Sequence, residues 1–204
     1  MAEESSSLAL TLHPLVIINV SDHFTRSRAQ SDSAASNAPR AFGILIGAQS
    51  GRQVEIANSF EVKLIPGGCG APSSQPGPDL ENLKARLEQY KKTFADYEML
   101  GWYSTAAGTP GTSEALQDGD LAIHQALCDF CESSSLLYLT LDPVAALAGV
   151  QRELPITIFE SEVHVVSDTP TMQLAVVPYK IDSIESERIA VDHIAHILPT
   201  GDSN

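Results

Sequence analysis

Few side chains in this sequence have the types and spacing for chemistry. Cys128 and Cys131 form a C-x-x-C pair. A structural zinc site needs a second pair of Cys or His ligands at similar spacing. The third cysteine, Cys69, stands by itself in a stretch of Gly, Pro and Ser. A redox pair would sit at a strand-to-helix turn, but the pattern here predicts one helix holding both cysteines, half-buried as such residues commonly are. His193 and His196 share a helix face beside Asp192, yet H-x-x-H lacks the general-base Glu of the H-E-x-x-H hydrolases, so they read as a solvated or interface face. Ser104 and His124, with Thr105, Asp118 and Asp120 around them, have the types of a nucleophile and its base, although spacing alone does not bring them together. No G-x-G-x-x-G or G-x-x-x-x-G-K-[ST] phosphate cradle occurs, and no G-x-S-x-G elbow. Asn19-Val-Ser21 fits a glycosylation acceptor but lies in an apolar run without a leader, which reads as chance.

Charge narrows the partners. Twenty-six acidic residues stand against twelve basic ones, a net charge of −14. Phosphate neutralisation needs clustered Lys and Arg, so a general nucleic-acid binder is excluded, as is a polybasic membrane-surface protein. No apolar run is long enough for a bilayer-spanning helix, and no secretory leader is readable. Three cysteines cannot build a disulfide framework, which points to a reducing compartment. A length of 204 residues with 43% hydrophobic content suits one domain plus tails.

The elements that must position these residues follow from hydrophobic period and punctuation. Residues 1–8 read as an acidic, Ser-rich tail. Residues 10–24 are apolar and β-branched, strand and helix both remaining open, with Pro14 suited to a first helical turn. Residues 27–39 read as a loop. Ala41–Gly47 and Val54–Phe60, separated by Gln49-Ser50-Gly51, predict a β-hairpin. Residues 66–78 read as a loop too rich in Gly and Pro to pack a core. Leu80, Leu83, Leu87, Tyr90, Phe94 and Tyr97 form one apolar stripe, predicting a helix from an Asp79 cap to a stop at Gly101. A second loop is expected over 106–119, then a helix over about 120–132. Strands are expected at 136–141, 156–160, 163–166 and 172–179, and a final helix at 183–198. The mixture predicts an α+β or α/β class.

Five blocks in order carry a resemblance: Leu12–His23 (LHPLVIINVSDH), Gly43–Gly47 (GILIG), Val54–Phe60 (VEIANSF), Leu100–Tyr103 (LGWY) and Glu187–His193 (ERIAVDH). Together they resemble the MPN (Mpr1/Pad1 N-terminal) domain over roughly residues 8–198. The resemblance implies a layered, cytidine-deaminase-like fold, a curved and mostly antiparallel sheet with the long helix on one side and the final helix on the other. It makes 9–198 the domain, with loop insertions at 27–39, 66–78 and 106–119 and a loose end at 199–204. It also implies a longer subunit of which this chain is the front module.

Active MPN domains of the JAMM type are zinc isopeptidases, with a Glu before the Gly-x-x-x-Gly block and His-Ser-His-Pro after Gly-Trp-Tyr. Two imidazoles and a carboxylate hold zinc, the metal activates water, and the Glu is the base. Matched one at a time, the Glu position falls on Arg40, the two His positions on Ser104 and Ala106, and the Pro on Ala107. The metal-binding Asp falls on Ala122, with Asp120 two residues away. The resemblance therefore implies a domain with no metal, no cofactor and no enzymatic activity.

The opening and closing blocks resemble the non-catalytic MPN subunits of the signalosome; the proteasome lid and translation initiation factor 3 hold similar domains. What this implies is a cytoplasmic and nuclear scaffold, pairing with a catalytic MPN subunit among other signalosome subunits to support removal of a ubiquitin-like modifier from cullins. A homodimer of the isolated domain stays open. The candidate pairing surface is the stripe Leu83, Leu87, Tyr90, Phe94 and Tyr97, with Ile184, Ile189 and Ile194 of the last helix; core packing is the competing role of each stripe.

Overall fold

The structure is a computed structural model that describes residues 8–30, 40–68, 76–105, 119–133, 135–148, 154–166 and 169–197. The apolar run after residue 8 divides in two. β1 (Ala9–Leu12) is a short strand and α1 (Pro14–Gln30) a helix, with Pro14 at its first position as its fixed φ favours. The helix extends through 27–30, part of the segment expected as loop; the rest of that loop, like Cys69, Ala106, Ala107 and both chain ends, lies outside the described residues. The predicted hairpin is β2 (Phe42–Ser50) against β3 (Gln53–Glu61), antiparallel. Within 66–78 the expected loop is partly strand: β4 (Leu64–Pro66) pairs with β5 (Pro76–Pro78) as a separate ribbon.

The long helix is shorter than its stripe suggests. α2 (Leu80–Thr93) starts at Asp79, whose carboxylate accepts from the Asn82 N–H at 3.1 Å, and ends at Phe94. Tyr97 lies beyond it, and Gly101 is no helix stop. Gly101 sits inside β6 (Glu98–Thr105), where a Cβ would lie 2.0 Å from the Leu137 carbonyl oxygen. The residue is glycine because β7 (Leu137–Leu141) approaches too closely for a side chain. Gly43 has a like reason: its Cβ would lie 2.4 Å from the Phe60 carbonyl.

Downstream come α3 (Asp120–Cys131), α4 (Pro143–Ala148), β8 (Ile156–Val166), β9 (Thr169–Val176), β10 (Tyr179–Ile181) and α5 (Glu185–Ile197). β8 is one strand where two were expected, the expected 172–179 strand divides between β9 and β10, and Ile184 precedes the last helix. The main sheet has the order β10-β1-β3-β2-β6-β7-β8-β9. Alternation fills both faces. Leu45, Leu137, Leu139 and Leu141 pack with Val16 and Val20 of α1 on one side. Phe42, Ile44, Trp102 and Tyr138 pack with Leu83 of α2 and Leu127 of α3 on the other. α5 lies against α1, on the opposite side from α2. Among the described residues no helix is long and apolar enough to cross a membrane.

Candidate functional site

Four side chains from separate elements meet at one end of the sheet. Arg40 precedes β2, Ser104 is near the end of β6, Tyr138 lies on β7, and Asp120 opens α3. The turn into α3 is made by Gly119 at φ 96°, a left-handed conformation that suits glycine. It aims Asp120 inward at the helix N-terminus, where a negative charge is favoured. Asp120 is 1% exposed.

One guanidinium nitrogen of Arg40 (Nη2) reaches Asp120 Oδ1 at 2.5 Å, Ser104 Oγ at 2.7 Å and the Tyr138 hydroxyl at 3.2 Å. Ser104 Oγ and the Tyr138 hydroxyl are 2.8 Å apart, and that hydroxyl donates to Asp120 Oδ2 at 2.8 Å. The proton order follows from what each group can do. Arg40 only donates and the carboxylate only accepts, so Ser104 donates to Tyr138 and Tyr138 to Asp120. Burial, with the Asp120 charge beside it, raises the Tyr138 phenol above its ordinary value and keeps it a donor.

The same face holds an aromatic stack beneath the cluster. Trp102 lies 3.8 Å from Tyr138, nearly parallel. Trp102 Nε1 donates to His124 Nδ1 at 3.0 Å, fixing the proton of neutral His124 on Nε2. Nε2 is buried without a hydrogen-bond partner, and burial pushes the imidazole down to about 4. Ser104 and His124 are therefore not joined as nucleophile and base: Ser104 is engaged by Arg40 and Tyr138, and His124 by Trp102.

The donor set does not suit the zinc of JAMM enzymes. Zinc takes imidazole, thiolate and carboxylate ligands. Here a guanidinium lies against the carboxylate, in the position where a dication would need open space. Ala122 lies on the exposed side of α3, away from the cluster, while Asp120 is in it. Cys128 is buried, and Cys131 meets Met99 with sulfurs 3.2 Å apart; burial raises both thiols, Cys131 to about 11. His193 is exposed on α5, and exposed His196 contacts the Asp192 carbonyl. Among the described residues no three metal-ligating side chains converge.

The candidate pairing residues divide by burial. Leu83 is fully buried, which corrects its assignment to a surface, and Tyr90 stacks on Phe60 at 5.0 Å. Leu87 is half-buried, and Phe94 and Tyr97 stack on each other just past α2. Ile184 and Ile189 are 57% and 63% exposed. Leu15 and Ile18 on neighbouring α1 are exposed as well, and the sequence reading did not single them out.

It also missed a second polar tie. His13 accepts or donates at both ring nitrogens, each 2.8 Å from a carboxylate: Nδ1 to Glu187 of α5 and Nε2 to Glu55 of β3. Carboxylates only accept, so a ring nitrogen that carries a proton donates to the carboxylate facing it. His13 and Glu187 belong to the first and last blocks of the resemblance, a pairing that their order along the chain does not disclose.

A sheet covered on both sides, with this cluster at one end of its central strands, accords with a known domain class. The chain belongs to the JAB1/Mov34/MPN/PAD-1 ubiquitin protease family, whose model matches residues 5–133. Among curated relatives, COP9 signalosome complex subunit 6 of Oryza sativa subsp. japonica is 44% identical over 98% of this chain and 58% of its own length. Subunit 6a of Arabidopsis thaliana is 41% identical over 98% of this chain and 63% of its own. Subunit 6 of Dictyostelium discoideum is 41% identical over 97% of this chain and 57% of its own. The chain thus spans about three fifths of the length of these relatives.

Proposed function

We propose that this chain is the MPN module of a non-catalytic signalosome subunit, a scaffold that pairs with the catalytic MPN subunit of the same complex and supports cullin deneddylation in cytoplasm and nucleus. The observation that carries the non-catalytic reading is the Arg40–Asp120 contact, closed by Ser104 and Tyr138. A guanidinium at the position matched to the general base cannot take a proton from water at neutral pH, and it repels a dication. The names of the relatives favour the signalosome over the proteasome lid or initiation factor 3.

For the pairing surface we favour the exposed apolar side chains of α1 and of the α5 end, Leu15, Ile18, Ile184 and Ile189, over the α2 stripe, much of which serves the core. Exposed Phe94 and half-buried Tyr97 form a smaller aromatic step beyond α2. Ile194 belongs to the same helix as Ile189. The test is co-expression with the catalytic MPN subunit, followed by mass measurement in solution. A one-to-one complex is expected, lost on Ile189→Asp with the thermal midpoint of the lone chain unchanged. Failure to associate, or isopeptidase turnover by this chain with stoichiometric zinc, defeats the reading.

A further inference from the structure

Beside Arg40 the surface opens into a cavity of about 450 Å3. Its walls carry Arg26 of α1, Arg40, Lys63 after β3 and Arg86 of α2, four of the twelve Lys and Arg residues in the chain. Among the described residues Glu61 is the one acid that lines it. That ratio reverses the composition of the molecule as a whole. Glu61 is taken up by Arg26, which also holds Asp22 at 2.7 Å. Arg86 donates to the Glu61 backbone carbonyl at 2.5 Å and lies over the Phe60 ring. Neither Arg86 nor Lys63 forms an ion pair with a carboxylate among the described residues. Arg40 brings a buried Nε that has no hydrogen-bond partner.

We infer that this cavity is a binding site for a small phosphate-bearing anion of about the size of tripolyphosphate. Lys63 and Arg86 supply positive charge not matched by a carboxylate among the described residues, beside the paired Arg26 and Arg40, and guanidinium forks match phosphate oxygens. The net charge of −14 does not forbid it. Charges more than about 8 Å away are largely screened at physiological salt, so the local balance decides: Asp22 and Glu61 pair with Arg26 and Asp120 with Arg40, which leaves Lys63 and Arg86 without a carboxylate among the described residues. Asn82, Ser27 and Gln30 add neutral hydrogen-bonding groups to the wall. The volume falls within the range of small-molecule pockets, roughly 300–1,000 Å3.

The test is calorimetric titration of the full chain with sodium tripolyphosphate at fixed ionic strength, with sulfate as the comparison anion. Saturable one-to-one binding is expected, with sulfate at least tenfold weaker. Lys63→Glu reverses a charge on an exposed side chain, and Asn82→Asp adds one in the first turn of α2, where an acid is favoured. Each is expected to weaken tripolyphosphate at least tenfold while the unliganded thermal midpoint holds. If Lys63→Glu does not fold, Asn82→Asp decides. Sulfate binding as well as tripolyphosphate, no saturation, or two folded variants that bind like the parent would overturn the site.

Discussion

Two charged ties hold remote parts of this chain together, and they sit in different surroundings. Arg40–Asp120 joins the segment before β2 to the start of α3, with the carboxylate 1% exposed. His13 joins β3 and α5 through two carboxylates, of which Glu187 is 13% exposed at its side chain and Glu55 is 54% exposed. Similar contact lengths therefore do not mean similar worth. A buried charge that loses its partner cannot turn to water, whereas an exposed one can. The lesson is a ranking by the solvent access of the group left behind, and it can be broken at each member.

The largest effect belongs to Arg40→Met. It removes the guanidinium from a carboxylate that is 1% exposed, and such losses cost about 3–5 kcal/mol. Urea unfolding measures it. The double variant Arg40→Met with Asp120→Asn removes the stranded charge and is expected to recover more than half of the loss. Additive losses would show that the two residues are not coupled.

Next is the acid response of the same region. The imidazole of His124 is pushed down to about 4 from an ordinary 6.5 by burial. Between those values the unfolded chain binds the proton and the folded chain does not, so stability rises with pH. The contribution is fully present above pH 6.5 and is lost as pH falls toward 4. From pH 7 to 4.5 the parent is expected to lose about 2–3 kcal/mol more than His124→Gln, whose amide oxygen can still accept from Trp102. Equal losses in the two proteins would contradict the burial of a neutral ring.

How much of this was legible in the sequence differs between the two ties. The hairpin, the Asp79 cap and the α3 helix follow from period and punctuation. The end of α2 does not, because Phe94 and Tyr97 keep helical spacing across a boundary set by the pairing of β6. Gly101 reads equally as a helix stop and as a close strand approach, and only the Leu137 carbonyl decides between them. Arg40 and Ser104 were reached through the resemblance. Asp120 was not separable from Ala122, since residues 106–119 upset any count from Ser104. Tyr138 was hidden in an apolar strand, and no local pattern marks one hydroxyl in such a run. The His13 tie was invisible for a simpler reason: its partners lie 42 and 174 residues away.

At the second tie, Glu187→Ala removes two contacts at once. Glu187 Oε2 accepts from His13 at 2.8 Å and from the Ile184 N–H at 3.3 Å, the latter being the reaching-back half of a capping box. His13 is left buried with Nδ1 unmatched, a loss of about 1–3 kcal/mol. The effect should be local before it is global. Amide exchange is expected to quicken in α5 while β2 and β6 keep their protection. Uniform quickening through the sheet would mean that α5 does not open as a unit.

The smallest expected effect is the sharpest check on the ranking. Glu55→Gln keeps an oxygen that can accept from His13 Nε2 and removes only the charge of a carboxylate more than half exposed. Water screens that charge in the parent, and exposed pairs contribute about 0–1 kcal/mol. The variant should therefore unfold within about 1 kcal/mol of the parent, and added salt should change the difference little. A loss as large as that of Glu187→Ala would mean that His13 draws equally on both carboxylates. Solvent access would then not order the two ties, and the geometry of the imidazole, fixed from both sides, would have to be the stronger constraint.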